Sequence, residues 1–267
     1  MCSSDLMRLG QMLKKNQTLQ VLDLHNVACF DQGVEFLFNG LKENRSLDIL
    51  YLDANGITPQ GAKYIAEYFD HLVTNDLKGL GTLYCGINRL DDEGTIVLAN
   101  SLKNYKHLQR LNLGSNRISH IGADAIFDAL VNHENLIVLD MGMYKSTYDL
   151  KELPNNLGDQ SVPGICRFIE NNKSVKILNL NNNNISVQGL EAIANSLDSN
   201  HCILSIVYEQ YGLEIPLDLR QRFIAIMKRN VNESMGISLG EFNGKHARYL
   251  KHGNMINFID SIYRNKM

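Results

Sequence analysis

The sequence predicts an α/β solenoid, with short parallel strands along a concave face and helices along a convex one. Two observations predict it. A pattern L-x-x-L-x-L-x-x-N-x-L recurs as "LDILYLDANGI" from Leu47, "LGTLYCGINRL" from Leu80, "LQRLNLGSNRI" from Leu108 and "VKILNLNNNNI" from Val175. Helical runs led by glycine follow the pattern, as in "GAKYIAEYF" from Gly61 and "GADAIFDAL" from Gly122. Self-similarity of this kind sets the architecture before any local reading does.

The spacing fixes the register. Leu19 to Leu47, Leu80 to Leu108, Leu108 to Leu136 and Val175 to Ile203 are each 28 residues, whereas Leu47 to Leu80 is 33 and Leu136 to Val175 is 39. Seven repeats therefore occupy 19–213, with insertions near 70–79 and 142–154. Two copies are weak: Val27 stands where the first repeat should carry its Asn, and Tyr211 where the last should. Leu9 and Leu13 lie 28 residues before Leu37 and Leu41, so 1–18 reads as a helical half-repeat that caps the array or continues one further upstream. Residues 214–267 read as a helical C-terminal cap, with helices expected in "LDLRQRFIAIMKRN" and "MINFIDSIYRN" and a small basic patch at Lys245, Arg248 and Lys251 between them.

Each repeat has two physical halves. The L-x-x-L-x-L part alternates with period two, as a half-buried strand does, and the second part places pairs such as Ile126 and Leu130 on one side of a helix. Neither half buries its apolar face alone, so neighbours must stack. Leu22, Leu50, Leu111, Leu139 and Leu178 become core, each contributing about 1.5–3 kcal/mol by burial. Asn55, Asn88, Asn116 and Asn183 sit at the bend after the strand, where an amide can serve backbone groups that lose their partners. That column is fold, not active site.

The bulk properties narrow the function. A formal net charge of −3 gives no electrostatic reason to bind nucleic acid or an anionic membrane. No apolar run approaches the length of a membrane span, and the start lacks the apolar core of a secretory signal. Cys2, Cys29, Cys85, Cys166 and Cys202 show no paired or metal-ligand spacing, and Cys29 and Cys85 fall on core positions, which leads us to expect buried thiols in a cytoplasmic protein. The Asn-x-Ser/Thr sequons at Asn16, Asn44, Asn172, Asn184 and Asn232 are then unused products of an Asn-rich chain. Phosphate loops, zinc clusters and H-E-x-x-H are absent, and His71, His107, His133 and His201 fall between helix and strand as expected solvated turn residues. A non-catalytic protein without cofactor or metal is the expectation.

The 28-residue period, the helix in each copy and the glycine that leads it resemble the ribonuclease-inhibitor-like class of leucine-rich repeats over Leu9 to about Leu213. The sparse Cys, absent Trp and wording rich in Asn, Lys and Ile are more similar to the leucine-rich-repeat effectors of Legionella than to ribonuclease inhibitor itself. The resemblance implies a module that binds another protein through its inner face and adjacent loops, in some members by blocking an enzyme's active site. It also implies a cytosolic place of action, in a host cell for a secreted effector.

Strand alternation then selects the concave residues. Asp23, Tyr51, Tyr84, Asn112, Asp140 and Asn179 fall at position five; His25, Asp53, Gly86, Gly114 and Gly142 at position seven; Arg110 at position three. The adjacent Tyr51 and Tyr84 offer amphipathic rings, and the three glycines a trough bordered by Asp53 and Asp140, in all an acidic and aromatic face. The eleven-residue excess before Asn155 and Leu157 resume the pattern emerges on the rim between strand and helix, carries Tyr144, Lys145 and Tyr148, and is expected to cover or extend the inner surface. The excess after Phe69 is expected to lengthen a helix end. Three classes stay open: a binder that inhibits or regulates a partner enzyme, monomeric alone and heterodimeric with it; a GTPase activator of the Ran type using Arg110 or Asn112; and an adaptor that recruits a host protein. The first is the expectation followed below.

Overall fold

A computed structural model describes residues 3–236. Seven strands form one parallel sheet in chain order: β1 Val21–Asp23, β2 Ile49–Tyr51, β3 Thr82–Tyr84, β4 Arg110–Asn112, β5 Val138–Asp140, β6 Ile177–Asn179 and β7 Ser205–Val207. The register pairs equivalent positions, Leu50 with Leu83, Leu83 with Leu111 and Leu111 with Leu139. Helices alternate with the strands: α1 Ser3–Lys15, α2 Phe30–Leu41, α3 Pro59–Thr74, α4 Asp91–Leu102, α5 His120–Leu130, α6 Val162–Asn171, α7 Val187–Asp198 and α8 Leu217–Gly236. Of the two helices expected beyond the last repeat, the first is α8; the second, the basic patch and Cys2 lie outside the described residues.

One continuous core runs between sheet and helices, with Leu50, Leu111, Leu139 and Leu178 all buried. Leu22 departs from expectation. It is half-buried, because β1 is the edge of the sheet and no strand precedes it among the described residues. The excess after Phe69 lengthens α3 to 16 residues, against 10 to 12 in α2, α4, α5, α6 and α7.

The bend after each strand uses a strained residue and an amide that holds it. Position eight adopts left-handed backbone at Asn26, Ala54, Ile87, Ser115 and Asn182, a conformation that costs a non-glycine residue about 1–2 kcal/mol. The next residue compensates. Asn88 Oδ1 accepts from the backbone N–H groups of Asn55 and Ile57, while its Nδ2 donates to the carbonyls of Leu52, Cys85 and Gly86. Each such Asn serves the repeat before it, so the first repeat functions with Val27, whose own N–H is held by Asn55. The last repeat corrects a reading. Tyr211 is 96% exposed and does none of this work; Gln210, one residue earlier and one methylene longer, accepts from the N–H groups of Asn183 and Ile185 and donates to Leu180 and Tyr208.

A second column closes the opposite rim, where helix returns to strand. Asn44 donates to the carbonyls of Leu13 and Asn16 and accepts from the N–H groups of Ser46 and Leu47; Asn172 and Asn200 repeat the pattern. The sequons at Asn44 and Asn172 are thus not products of chance composition. The turn requires the Asn, and the Ser two residues on bonds to the same amide. Both amides are buried in their bonds.

His133 takes the equivalent place between them and is buried, not a solvated turn residue. Its Nδ1 accepts from the N–H groups of Asn135 and Leu136, which leaves the ring proton on Nε2, 2.8 Å from the Tyr105 carbonyl. Burial depresses its pKa, against the pull of the Tyr105 carbonyl. A depressed folded-state pKa means that stability is full above the unfolded value, about 6.5, and is lost as pH falls from there through the folded value. The expected result of His133→Asn is a chain that keeps the turn but loses less stability than the wild type in that acid window. Parallel urea titrations at pH 7.5 and 5 check this.

A third repeated device explains the leading glycines. Asp31 Oδ1 accepts from the N–H groups of Thr58 and Gly61, and Asp92 Oδ1 from those of Ser119 and Gly122. A Cβ on Gly61 or Gly122 would sit 2.5 or 2.7 Å from that carboxylate.

Candidate functional site

The concave surface is organised by position five. Asp23, Asn112, Asp140 and Asn179 each accept, through Oδ1, the N–H two residues on, which turns the chain out of the strand. Tyr51 and Tyr84 carry no such acceptor. There Asp53 Oδ1 accepts from the N–H of Gly86 at 2.7 Å instead, and the two rings are free of that duty to stack, with centroids 4.6 Å apart and planes 11° from parallel.

The glycine trough is present but filled. The insert folds back so that the Tyr144 ring lies over it: a Cβ on Gly86 would meet that ring at 2.6 Å, and one on Gly114 at 3.0 Å. Only glycine at both positions leaves room. The Tyr144 hydroxyl accepts from Asn112 Nδ2, which also donates to Asp140 Oδ2. A buried knot fixes the insert's backbone: the Tyr144 N–H donates to Ser115 Oγ, and Thr147 Oγ1, 2.6 Å from that oxygen, donates to the Tyr144 carbonyl. At the far end Glu152, 7% exposed, receives Arg89 through Nε and Nη2 at 2.6–3.1 Å and Arg117 through Nη2 at 2.9 Å. The insert is a strap fastened at both ends.

This geometry sorts the twelve residues singled out from the sequence. Asp53, Asn112, Asp140, Tyr144 and Asn179 are at most 8% exposed and act inside the fold, positioning turns and strap. The remaining seven, Asp23, His25, Tyr51, Tyr84, Arg110, Lys145 and Tyr148, keep accessible surface. The expected acidic face is therefore corrected, since Asp53 and Asp140 are each 1% exposed and the exposed Asp23 stands 3.6 Å from His25 Nδ1. Of the two residues considered for assisting phosphoryl transfer in trans, Asn112 is already bonded to Asp140, Tyr144 and Gly114.

Sequence reasoning missed two contributors. Glu152 is 63 residues from Arg89, a separation without local signal. The sequence marks Tyr211 only as standing where the last, weak repeat should carry its Asn, and it is 96% exposed. Tyr211, Tyr148 and Pro154, with Asn179, Asn181 and Val207 of the sheet side, enclose a cleft of about 570 Å³ between strap and last repeats.

Among the described residues no group of three or more His, Cys, Asp or Glu could hold a metal ion, and no helix is long and apolar enough to cross a membrane. Burial pushes the Cys29 thiol up to about 11 and raises that of Cys85, so both are poor nucleophiles.

A family model described as leucine-rich repeat matches residues 43–66, 106–127 and 171–194. The chain is similar to protein phosphatase 1 regulatory subunit 37 of Danio rerio, 41% identical over 63 residues, which is 23% of this chain and 7% of that protein. The Homo sapiens protein of the same name is 38% identical over 68 residues, 25% of this chain and 10% of its own length. The chain thus aligns with a tenth or less of these relatives. Among solved structures, leiomodin-1 actin-binding site 2 superposes with a TM-score of 0.41 at 16% identity, covering 88% of this chain and 94% of that one. The tropomodulin C-terminal domain of Caenorhabditis elegans gives 0.39 at 10% identity, covering 90% and 99%. Seven in-register strands, an amide column that closes each bend and three matches to the repeat model make this chain a leucine-rich-repeat α/β solenoid.

Proposed function

We propose that this chain is a non-catalytic protein-binding module that regulates a partner enzyme, covering it with the concave face and the 142–154 strap. The observation that carries the reading is the strap itself. A neutral insertion needs no internal fastening, whereas this one is seated by a buried tyrosine at one end and a buried carboxylate between two arginines at the other. Rigid presentation lowers the ordering cost of association, and the side chains presented include stacked and exposed tyrosines, the residue type enriched at binding hot spots.

The name of these relatives supports a regulatory binding role and makes protein phosphatase 1 the first enzyme to assay. Inhibition by occlusion of the active site, action as a bacterial effector in a host cytosol, and descent from the ribonuclease-inhibitor-like class are finer forms of the same proposal, supported by the wording of the repeats.

The test is affinity capture by the full chain beside Tyr51→Ala/Tyr84→Ala and a variant with Tyr148→Ala. The expected outcome is one stoichiometric protein whose retention falls at least about tenfold in either variant, the loss of one aromatic anchor being worth about 1.4 kcal/mol or more. Capture that is indifferent to both changes, with circular dichroism showing both variants folded, overturns the reading.

A further inference from the structure

Resting on the protein-binding reading for its use, we infer that residues 148–154 form a lid on the cleft, hinged on the buried knot around Tyr144 and Thr147 and closed by a releasable ion-pair latch at Glu152. The strap's two fastenings thus differ in kind.

The difference lies in what ties the chain to the frame. Tyr144 and Thr147 are buried and bonded to Ser115, and the frame resumes at Asn155, whose amide accepts from the N–H groups of Asn116 and Ile118 and donates to the carbonyls of Leu113 and Met141. Between these points the backbone bonds stay inside the strap, from the N–H groups of Leu150, Lys151 and Glu152 to the carbonyls of Ser146, Tyr148 and Thr147. Tyr148, Leu150 and Leu153 are 61%, 39% and 55% exposed, so little apolar burial holds the segment down. Among the described residues, Glu152 is the one side chain of 148–154 that bonds to the frame, through Arg89 and Arg117.

The latch is built to let go. Arg89 gives Glu152 both Nε and Nη2, but Arg117 gives Nη2 alone, and its Nε is buried without an acceptor. Asp91 lies within Coulombic reach of both guanidinium groups and of Glu152. Two cations therefore share two carboxylates, and when Glu152 leaves, Asp91 remains to stabilise the arginines. Neither arrangement strands a charge, which is what a two-state element requires. Lys151, beside the latch, holds a φ of 58° in the closed lid, a strain that opening relieves. Tyr148 and Pro154 form the strap wall of the cleft, whereas Asn179, Asn181 and Val207 stand on the sheet side. Release moves the wall and leaves the floor in place, so the latch sets how wide the cleft stands to a partner.

The test is amide hydrogen exchange on the free full chain, read at Leu150, Lys151 and Glu152. A lone turn is marginal in water, so these amides lose protection once the latch is undone. Exchange there is expected to rise about tenfold or more in Glu152→Gln and in Arg89→Ala, with the amides of Tyr144 and Thr147 unchanged. Asp91→Asn is expected to slow it below the wild type, because Arg117 loses its other acceptor while Asn keeps the left-handed backbone of that position. Unchanged exchange in Glu152→Gln, a rise that includes Tyr144 and Thr147, or exchange in Asp91→Asn as fast as in the wild type overturns the inference. No partner enters this measurement, so its failure leaves the capture result untouched, and failed capture with these exchange results removes the binding reading but not the lid.

Discussion

Replacing Asn88 by alanine is expected to lower the unfolding free energy by about 3–4 kcal/mol, since it strands several buried backbone groups at about 1–3 kcal/mol each before relaxation. Asn88 is fully buried and bonds two N–H groups and three carbonyls across two repeats. The same change at Asn183 should cost about half as much. That residue follows the strap-bearing repeat; its Nδ2 donates to Met141 and Asn181, but its Oδ1 finds no donor. Denaturant titration of both variants checks the ratio. Equal losses would mean that the column acts through helix packing or chain stiffness and not through the bonds described here.

Removing the Tyr144 ring is the second large effect expected. Tyr144→Ala takes a 4%-exposed aromatic out of the glycine trough and should cost about 3 kcal/mol, in the range of buried aromatic truncations. Tyr144→Phe keeps the ring and loses the hydroxyl with its bond from Asn112, for about 1 kcal/mol. The two variants separate packing from hydrogen bonding. Hydrogen exchange of 143–153 should rise in the alanine variant while β2 and β3 stay protected, because Glu152 then holds the strap at one end only.

These two residues also mark the division between what the sequence discloses and what it withholds. The Asn88 role follows from position alone: the ninth place of each repeat falls at the bend, and the bend needs an amide. Spacing carries no information on how an insert folds. Three glycines in one column announce that something needs room, but not that the occupant is the chain's own tyrosine. Gln210 escaped because a longer side chain can do the same work from one residue earlier, which a positional pattern cannot register. His133 escaped because its column was not recognised; Asn44, Asn172 and Asn200 stand in register with it, and the Asn-x-Ser wording at Asn44 and Asn172 was put down to an Asn-rich composition instead of a turn. The Glu152 pairing to Arg89 and Arg117 had no periodic signal to find.

The concave surface that results is shorter than the seven strands suggest. The strap covers the middle of it and leaves a stacked tyrosine pair on one side and a cleft rimmed by exposed tyrosines on the other. Hydrogen–deuterium exchange of the chain with and without its captured partner tests this arrangement most directly. The account predicts added protection in 143–153 and in the segments carrying Tyr51, Tyr84 and Tyr211, with α3 to α7 unchanged. Protection confined to those convex helices would contradict it.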